Sequence, residues 1–280
     1  MNKPWIHRFA IFVAFVALIA IAGGAIVTSL ERPIAATPAA SINPAFEFWH
    51  AMIGGVAVVM ALGLALALSS QLGWIALAAG ILDGVLGLKA ITQAVPELSG
   101  ILHALLAQIF FGAIVAAAVM TSESWRHGPE SIDDTWRPSM RSLAIAIPAV
   151  LLLQITLGAS YRYHALGVIW HILNAMIVLL LILIVAVFLI RQFPDHPTLK
   201  PAAVTVAVIT SIQVMLGFTT FMMLILFPET SLAVVITSVL HVTTGALTFG
   251  SGMALSILIR YNLRHASAGP EVTHRSVTAG

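Results

Sequence analysis

Charged residues and cysteine are what this chain of 280 residues has least of. Only 9% of its residues are charged, against about 25% in soluble globular domains, so it cannot cover a water-facing surface of ordinary size. A soluble domain, a disordered chain and a fibrous repeat are all disfavoured on this ground. Cysteine is absent, which excludes disulfides, thiolate metal sites, iron–sulfur clusters and covalent haem attachment through C-x-x-C-H.

Apolar sequence takes the place of charge, since 60% of the residues are hydrophobic and the mean hydropathy is +1.02. Eight apolar runs are each long enough to cross a bilayer as a helix of about 20 residues. We therefore predict an all-α polytopic integral membrane protein in contact with a lipid bilayer. The first run is too long for a signal peptide and is taken as an uncleaved span. The runs are Phe9–Ser29, Phe46–Ser70, Trp74–Ala94, Gly100–Ser122, Ser142–Ser160, Leu166–Ile190, Ala202–Phe227 and Ser231–Arg260.

The distribution of Lys and Arg predicts the orientation in the membrane. With the N-terminus inside, ten of these residues fall in cytoplasmic segments and three in outer segments, so both termini are predicted to be cytoplasmic. The ten are Lys3, Arg8, Arg126, Arg137, Arg141, Arg191, Lys200, Arg260, Arg264 and Arg275, and the three are Arg32, Lys89 and Arg162. The expected location is the cell membrane, and the net charge of +2 gives no indication of a nucleic-acid partner.

The longest polar stretch between spans divides the chain into two halves of four spans. We predict an N-terminal four-helix bundle over residues 1–122, a cytoplasmic linker over 123–141, a C-terminal four-helix bundle over 142–262 and a cytoplasmic tail over 263–280. Two proline residues, Pro129 and Pro138, suit a linker.

An internal repeat supports this division. Three odd-numbered spans carry a polar residue four positions before a glycine, and the first span has Gly23-Gly24 at the equivalent depth. Each even-numbered span carries one histidine near its outer end. Close helix packing explains the glycines about as well as a ligand site does. The motifs are Asp83-x-x-x-Gly87, Gln154-x-x-x-Gly158 and Gln213-x-x-x-Gly217, and the histidines are His50, His103, His171 and His241.

Four histidines at matching positions in apolar helices indicate a functional site, because ionisable residues inside membranes are rare. Neutral imidazole is a good ligand for haem iron, and two helices of a bundle can present one histidine each to a shared iron. We predict that His50 pairs with His103 and His171 with His241, around non-covalent haem. The residues one turn after the histidines are small and would leave room for a porphyrin; they are Gly54, Ala107, Ala175 and Gly245.

The two predicted sites differ in one acidic residue. Glu47 lies three residues before His50, on nearly the same helix face, whereas Val168 and Ser238 hold the matching positions before His171 and His241. Glu47 could also serve simply to complement the helix dipole. The asymmetry predicts a reacting haem in the first half and an electron-transfer haem in the second.

Further motifs accompany the histidines from about Phe9 to Arg260. They include Gly23-Gly24 with Val27-Thr28, Glu47-x-x-His50, Gly84-Val-Leu-Gly87, His103-Ala-Leu-Leu-Ala-Gln-Ile-Phe-Phe111, Gln154-x-x-Leu-Gly-Ala159, Arg162-x-His-x-Leu-Gly167, Gln213-x-x-Leu-Gly217 and His241-Val-Thr-Thr-Gly-Ala-Leu247. In these motifs the chain resembles the haem A synthase family. It differs from many members at Ala51, where they have arginine, and in the loop Glu31–Ser41, which has neither their Pro-Asp-Trp stretch nor a cysteine pair.

The resemblance implies two pseudo-symmetric four-helix bundles that oxidise the C8 methyl group of haem O to the formyl group of haem A. It implies that His171 and His241 ligate a permanent haem b, that His50 and His103 hold the substrate haem, and that Glu47 is the catalytic acid or base. Haem O synthase and cytochrome oxidase assembly factors are the partners it suggests, and a homo-oligomer stays open. Two alternatives also stay open: a non-enzymatic di-haem b cytochrome on the same scaffold, and a transporter or channel that relays protons through its histidines.

Overall fold

The computed structural model describes residues 4–31, 44–92, 97–229 and 231–265. Within these residues the chain forms nine helices and two short strands. Eight of the helices are long and apolar enough to cross a membrane, which confirms the prediction of an all-α, multi-pass membrane protein. The helices are α1 (Pro4–Glu31), α2 (Pro44–Leu68), α3 (Gln71–Thr92), α4 (Glu97–Met120), α5 (Glu123–His127), α6 (Met140–Arg162), α7 (Val168–Gln192), α8 (Leu199–Leu226) and α9 (Leu232–Asn262), and the strands are β1 (Ile132–Asp134) and β2 (Leu263–His265).

The long helices begin at residues that favour a helix N-terminus. Pro4 and Pro44 are the first residues of α1 and α2, where the missing N–H of proline has no cost. The hydroxyl groups of Ser139 and Ser231 accept hydrogen bonds from backbone N–H groups in the first turns of α6 and α9, as N-cap residues do. Helix α1 therefore starts at Pro4, five residues before the apolar run that predicted it.

The spanning helices form two bundles with the same arrangement. In the first bundle α1, α2, α3 and α4 pack in a closed ring, each against the next and α4 against α1, and α6 to α9 do the same in the second bundle. Each bundle has its own core of buried apolar side chains. Between the bundles α4 packs on α9, while α1 packs on α9 and α6 on α4. This reciprocal pattern is that of a pseudo-twofold axis between α4 and α9.

The contact between α4 and α9 is itself reciprocal. The Phe111 ring of α4 lies over Gly250 of α9, and the Phe249 ring of α9 lies over Gly112 of α4. Both phenylalanines are buried. They stand eight residues after His103 and His241, so the same two-residue motif follows a histidine in each bundle and joins the halves.

The segment between the bundles is tied to the end of α9. Strand β1 pairs in parallel with β2. The Asp134 carboxylate accepts hydrogen bonds from the Ser139 hydroxyl at 2.9 Å and from the backbone N–H groups of Met140 and Arg141. The Arg141 guanidinium donates to the carbonyl oxygen of Arg260 at 2.7 Å. The predicted linker thus contains ordered structure that the sequence analysis did not anticipate. We call this end of the molecule, formed by α5, β1 and β2, the linker end.

Large apolar side chains cover the outer faces of the bundles. Phe15, Val59 and Met215, for example, are each more than half exposed. An apolar surface of this size is unfavourable in water, and it is compatible with the hydrocarbon of a lipid bilayer. Trp49 and Trp170, which directly precede His50 and His171, are also exposed, as in the aromatic belts of membrane interfaces.

Candidate functional site

Four histidines from four different helices meet as two pairs. The rings of His50 on α2 and His103 on α4 have their centres 6.1 Å apart at an interplanar angle of 82°. The rings of His171 on α7 and His241 on α9 repeat this arrangement at 6.1 Å and 83°. We call these the first pair and the second pair. Both lie toward the end of the molecule opposite the linker end, and the structure brings together the partners that the sequence analysis proposed.

Each histidine is held by a carbonyl group on the preceding helix of its bundle. The Nδ1 atom of His50 lies 3.0 Å from the carbonyl oxygen of Ala20, that of His103 lies 3.1 Å from Asp83, and that of His171 lies 3.2 Å from Gln154. His241 faces the Gln213 carbonyl in the same way, although its Nδ1 makes no well-formed hydrogen bond. A carbonyl can only accept, so Nδ1–H donates and the lone pair of a neutral ring is left on Nε2.

The repeated glycines make this close approach possible. A Cβ atom added to Gly24, Gly158 or Gly217 would lie 2.9 Å from Cε1 of His50, His171 or His241 respectively. For Gly87 the corresponding distance to His103 is 3.1 Å. Each of these glycines follows the accepting carbonyl by four residues, one helical turn. Glycine and histidine therefore form one structural unit that occurs four times, and of the two glycines in α1 it is Gly24 that makes the tighter contact.

The spacing of the rings fits a single metal ion between the two histidines of a pair. A histidine nitrogen lies about 2 Å from its metal and about 1 Å from the centre of its own ring, so two rings on opposite sides of one ion have centres roughly 6 Å apart. A carbonyl partner on the other ring nitrogen is what metal-ligating histidines usually have. No group of three or more His, Asp or Glu side chains is placed to hold a metal anywhere in the part of the chain that the structure describes. Each pair can thus supply only two ligands.

The surroundings of the two pairs differ in charge. Beside the first pair, Oδ1 of Asp83 lies 2.8 Å from Nδ1 of His103, and both side chains are about one-fifth exposed. Beside the second pair the polar neighbours are neutral amides. The Gln154 amide lies against the His171 ring and donates to the His171 carbonyl at 3.1 Å, while its oxygen accepts from Nδ2 of Asn174 at 2.8 Å.

Glu47 lies in the first turn of α2, one turn before His50. Its side chain is half-buried. No hydrogen bond or ion pair joins it to another of the residues that the structure describes. The position keeps Glu47 available near the first pair, and its role as an acid or base stays a prediction.

The small residues predicted after the histidines do not all face the same surroundings. A Cβ atom added to Gly54 would meet nothing within 4 Å, whereas one added to Gly245 would lie 3.1 Å from Nε2 of Gln213. The helix face after His50 is therefore open, and the face after His241 is occupied by an amide of the protein. The loop that departs from the family pattern lies, from residue 32 onward, outside the described residues.

Two residues near the pairs received no role in the sequence analysis. Asp83 contacts a histidine directly, and Asn174 orients the glutamine that contacts another. The sequence does contain a signal that could have identified Asp83, because this residue occupies the polar position of the repeated motif in α3. That position turns out to provide the partner of the histidine ring in α4. Asn174 lies three residues after His171 on the same face, but a lone amide in a span carries no specific signal.

Comparisons with known proteins leave the family open. No protein-family model matches the chain, and no curated protein has significant sequence similarity to it.

Proposed function

We propose that this protein is a membrane oxidoreductase of the haem A synthase type, which oxidises the C8 methyl group of haem O to a formyl group. The observation that supports this most directly is the pair of matching histidine sites, each with its rings 6.1 Å apart and with Nδ1 directed to a backbone carbonyl. A haem iron carries four nitrogen ligands of its own, so it needs only the two that each pair can supply.

The second pair is suited to a resident haem b. Gly158 and Gly217 admit the rings of His171 and His241 against the neighbouring helices. Nε2 of His171 lies 3.2 Å from the amide nitrogen of Gln154, so this amide would turn aside when Nε2 binds iron. The surrounding amides are uncharged. A haem bound there would supply one-electron transfer. The protein's contribution is to orient the two imidazoles and to bury them in an apolar bundle.

The first pair is suited to the substrate haem, because an acidic residue and open space lie on its side of the molecule. His50 and His103 would hold the substrate iron, and the face of α2 at Gly54 is open. Glu47 would accept a proton, or stabilise positive charge, as the methyl group is oxidised. With water as the oxygen source, conversion of a methyl to a formyl group releases four electrons and four protons. The electrons would leave one at a time through the second pair.

The proposal includes a location in the cell membrane with both termini in the cytoplasm. Positive residues support this orientation, since Arg126, Arg141, Arg260 and Arg264 all lie at the linker end. Arg162, at the end of α6, lies at the opposite end and donates to the carbonyl of Thr28. Haem O synthase, which supplies the substrate, and cytochrome oxidase assembly factors, which receive haem A, would be the partners.

Co-expression with a haem O synthase tests the reaction. Haem extracted from the membranes and separated by chromatography is expected to contain haem A above the level of an empty-vector control. Absence of haem A, in cells where haem O accumulates and the protein is present, would contradict the synthase proposal.

A non-enzymatic di-haem cytochrome is the second candidate. It is favoured by the near-identical geometry of the two histidine pairs, because no difference in ring spacing or angle sets one pair apart as a catalytic site. A reduced-minus-oxidised spectrum with a b-type signal, together with no haem A, would select this candidate. A purified protein without any b-type signal would remove both candidates and leave a proton-relaying transporter or channel.

A further inference from the structure

Asp83 is a carboxylate inside a membrane-spanning helix, and its contact is with a histidine of the first pair. Oδ1 lies 2.8 Å from Nδ1 of His103. Among the described residues no Lys or Arg forms an ion pair with Asp83. A carboxylate at this depth is costly and usually functional.

The carboxylate is not needed to orient the ring. His50 makes the same Nδ1 contact with the carbonyl of Ala20, a residue whose side chain can offer no hydrogen bond. His103 already has the equivalent carbonyl, that of Asp83 itself, at 3.1 Å. Gln154 and Gln213 hold the matching position in the second bundle with a neutral amide. What Asp83 adds at this position is therefore a negative charge.

A negative charge beside the non-ligating nitrogen of a histidine changes the reduction potential of the metal ion that the histidine binds. Oδ1 of Asp83 makes no well-formed hydrogen bond with the ring, but at 2.8 Å its negative charge stabilises the Nδ1–H, which makes the imidazole a more basic ligand. A more basic ligand and a nearby negative charge both favour the ferric over the ferrous state, because ferric iron carries one more positive charge. The second pair, surrounded by Gln154, Asn174 and Gln213, has no such charge among the residues that the structure describes.

We infer that Asp83 is a positioning residue that acts through His103 to make the first metal centre more reducing than the second. This inference rests on the proposed binding of haem at both pairs, and not on the synthase reaction. Its consequence is directional. With haem bound at both pairs, one electron would pass from the first iron, oxidised from ferrous to ferric, to the second iron, reduced from ferric to ferrous, and no atom or proton would be exchanged between them.

Redox titration of the full-length protein, purified after co-expression with a haem O synthase, tests this inference. Asp83→Asn keeps an oxygen acceptor and removes the charge, and Asp83→Gln copies the residue of the second bundle. Asp133→Asn is the matched control, because it removes a carboxylate that pairs with Arg264 at the linker end. The centres are assigned with His171→Ala, which removes the second one.

In the wild type we expect the first centre to have the lower midpoint potential. Both Asp83 variants should raise that potential so that the ratio of ferrous to ferric haem at a fixed potential changes at least tenfold, which is 59 mV for a one-electron couple. The second centre and the Asp133→Asn control should not move. The electron paramagnetic resonance signal of the first ferric centre should shift as well, because it reports the basicity of the axial histidine.

Several outcomes would overturn the inference. They are an unchanged first potential, an equal shift of both centres, or loss of the first haem in both Asp83 variants, which would make Asp83 a structural support of His103. Lack of haem A with a confirmed shift overturns the synthase reaction alone. A wild-type protein without haem overturns both.

Discussion

Gly158→Ala is the most direct test of the glycine–histidine unit. The added Cβ would lie 2.9 Å from Cε1 and 3.0 Å from Nδ1 of His171, closer than real Cβ contacts come. The ring must therefore move away from α6, and its Nδ1 must leave the Gln154 carbonyl at 3.2 Å. Overpacking costs about 1–3 kcal/mol and a lost hydrogen bond about 0.5–1.5 kcal/mol. At about 1.4 kcal/mol per factor of ten, haem at the second pair should bind roughly tenfold to a thousandfold more weakly.

Haem content per protein, measured by absorbance after purification in detergent, is the assay. Gly63→Ala is the control, because its added Cβ would make only ordinary contacts, at 3.6 Å from the Phe9 ring. Both substitutions replace glycine by alanine within a spanning helix, so any general effect of helix propensity is shared. The variant should elute as a folded protein that retains the haem of the first pair and loses that of the second.

Full retention of both haems by Gly158→Ala, at concentrations where wild-type haem begins to dissociate, would contradict this prediction. It would show that His171 does not bind metal in the observed position. Equal loss of haem in Gly63→Ala would refute it in another way, because the effect would then come from helix packing in general.

Three further predictions concern the acid, the interface between the bundles, and pH. Glu47→Ala should abolish haem A formation while the second haem stays bound; extraction and a reduced spectrum measure the two, and loss of that haem would contradict the asymmetry. Gly112→Ala would place a Cβ 2.5 Å from the Phe249 ring and should lower stability by about 1–3 kcal/mol in detergent unfolding, so an unchanged midpoint would count against the reciprocal interface. Burial lowers the pKa of His196 from its usual 6.5, against the opposing effect of Glu130, so the unfolded chain takes up a proton first and stability should fall as the pH drops through 6.5. His196→Gln should reduce this loss, and an identical pH profile would show that another group causes it.

The fold was largely predictable because the bilayer imposes it. Apolar runs of spanning length have to form helices, since no water is present to satisfy the backbone. Their ends were less predictable, as at Pro4, because terminal residues depend on caps and on the membrane interface rather than on hydropathy. The pairing of β1 with β2 carried no sequence signal, because two three-residue strands far apart in the chain show no periodicity that distinguishes them from loop.

The histidine pairs were predictable for a different reason. In a repeat, residues at matching sequence positions lie at the same depth in their helices. The same depth in antiparallel helices of one bundle brings His50 toward His103. The atom-level partners of the rings were not predictable, because backbone carbonyls have no residue type, and Ala20 gives no signal that it faces a histidine. Only after the structure shows that the fourth residue before each glycine faces a ring can the polar residue at that position be interpreted.

The four repeat units show which residues all of them share and which residue differs from one unit to the next. Glycine and histidine occur in all four units, so they are needed wherever a ring must lie against a helix backbone. The residue four positions before the glycine is free to vary, because its backbone carbonyl makes the common contact, and it is Ala20, Asp83, Gln154 and Gln213 in turn. Variation at that position changes the charge beside a histidine ring without moving the ring. If both pairs bind haem as proposed, two sites of equal geometry would in this way differ in reduction potential, which is the property that a protein needs if electrons are to pass through it in one direction.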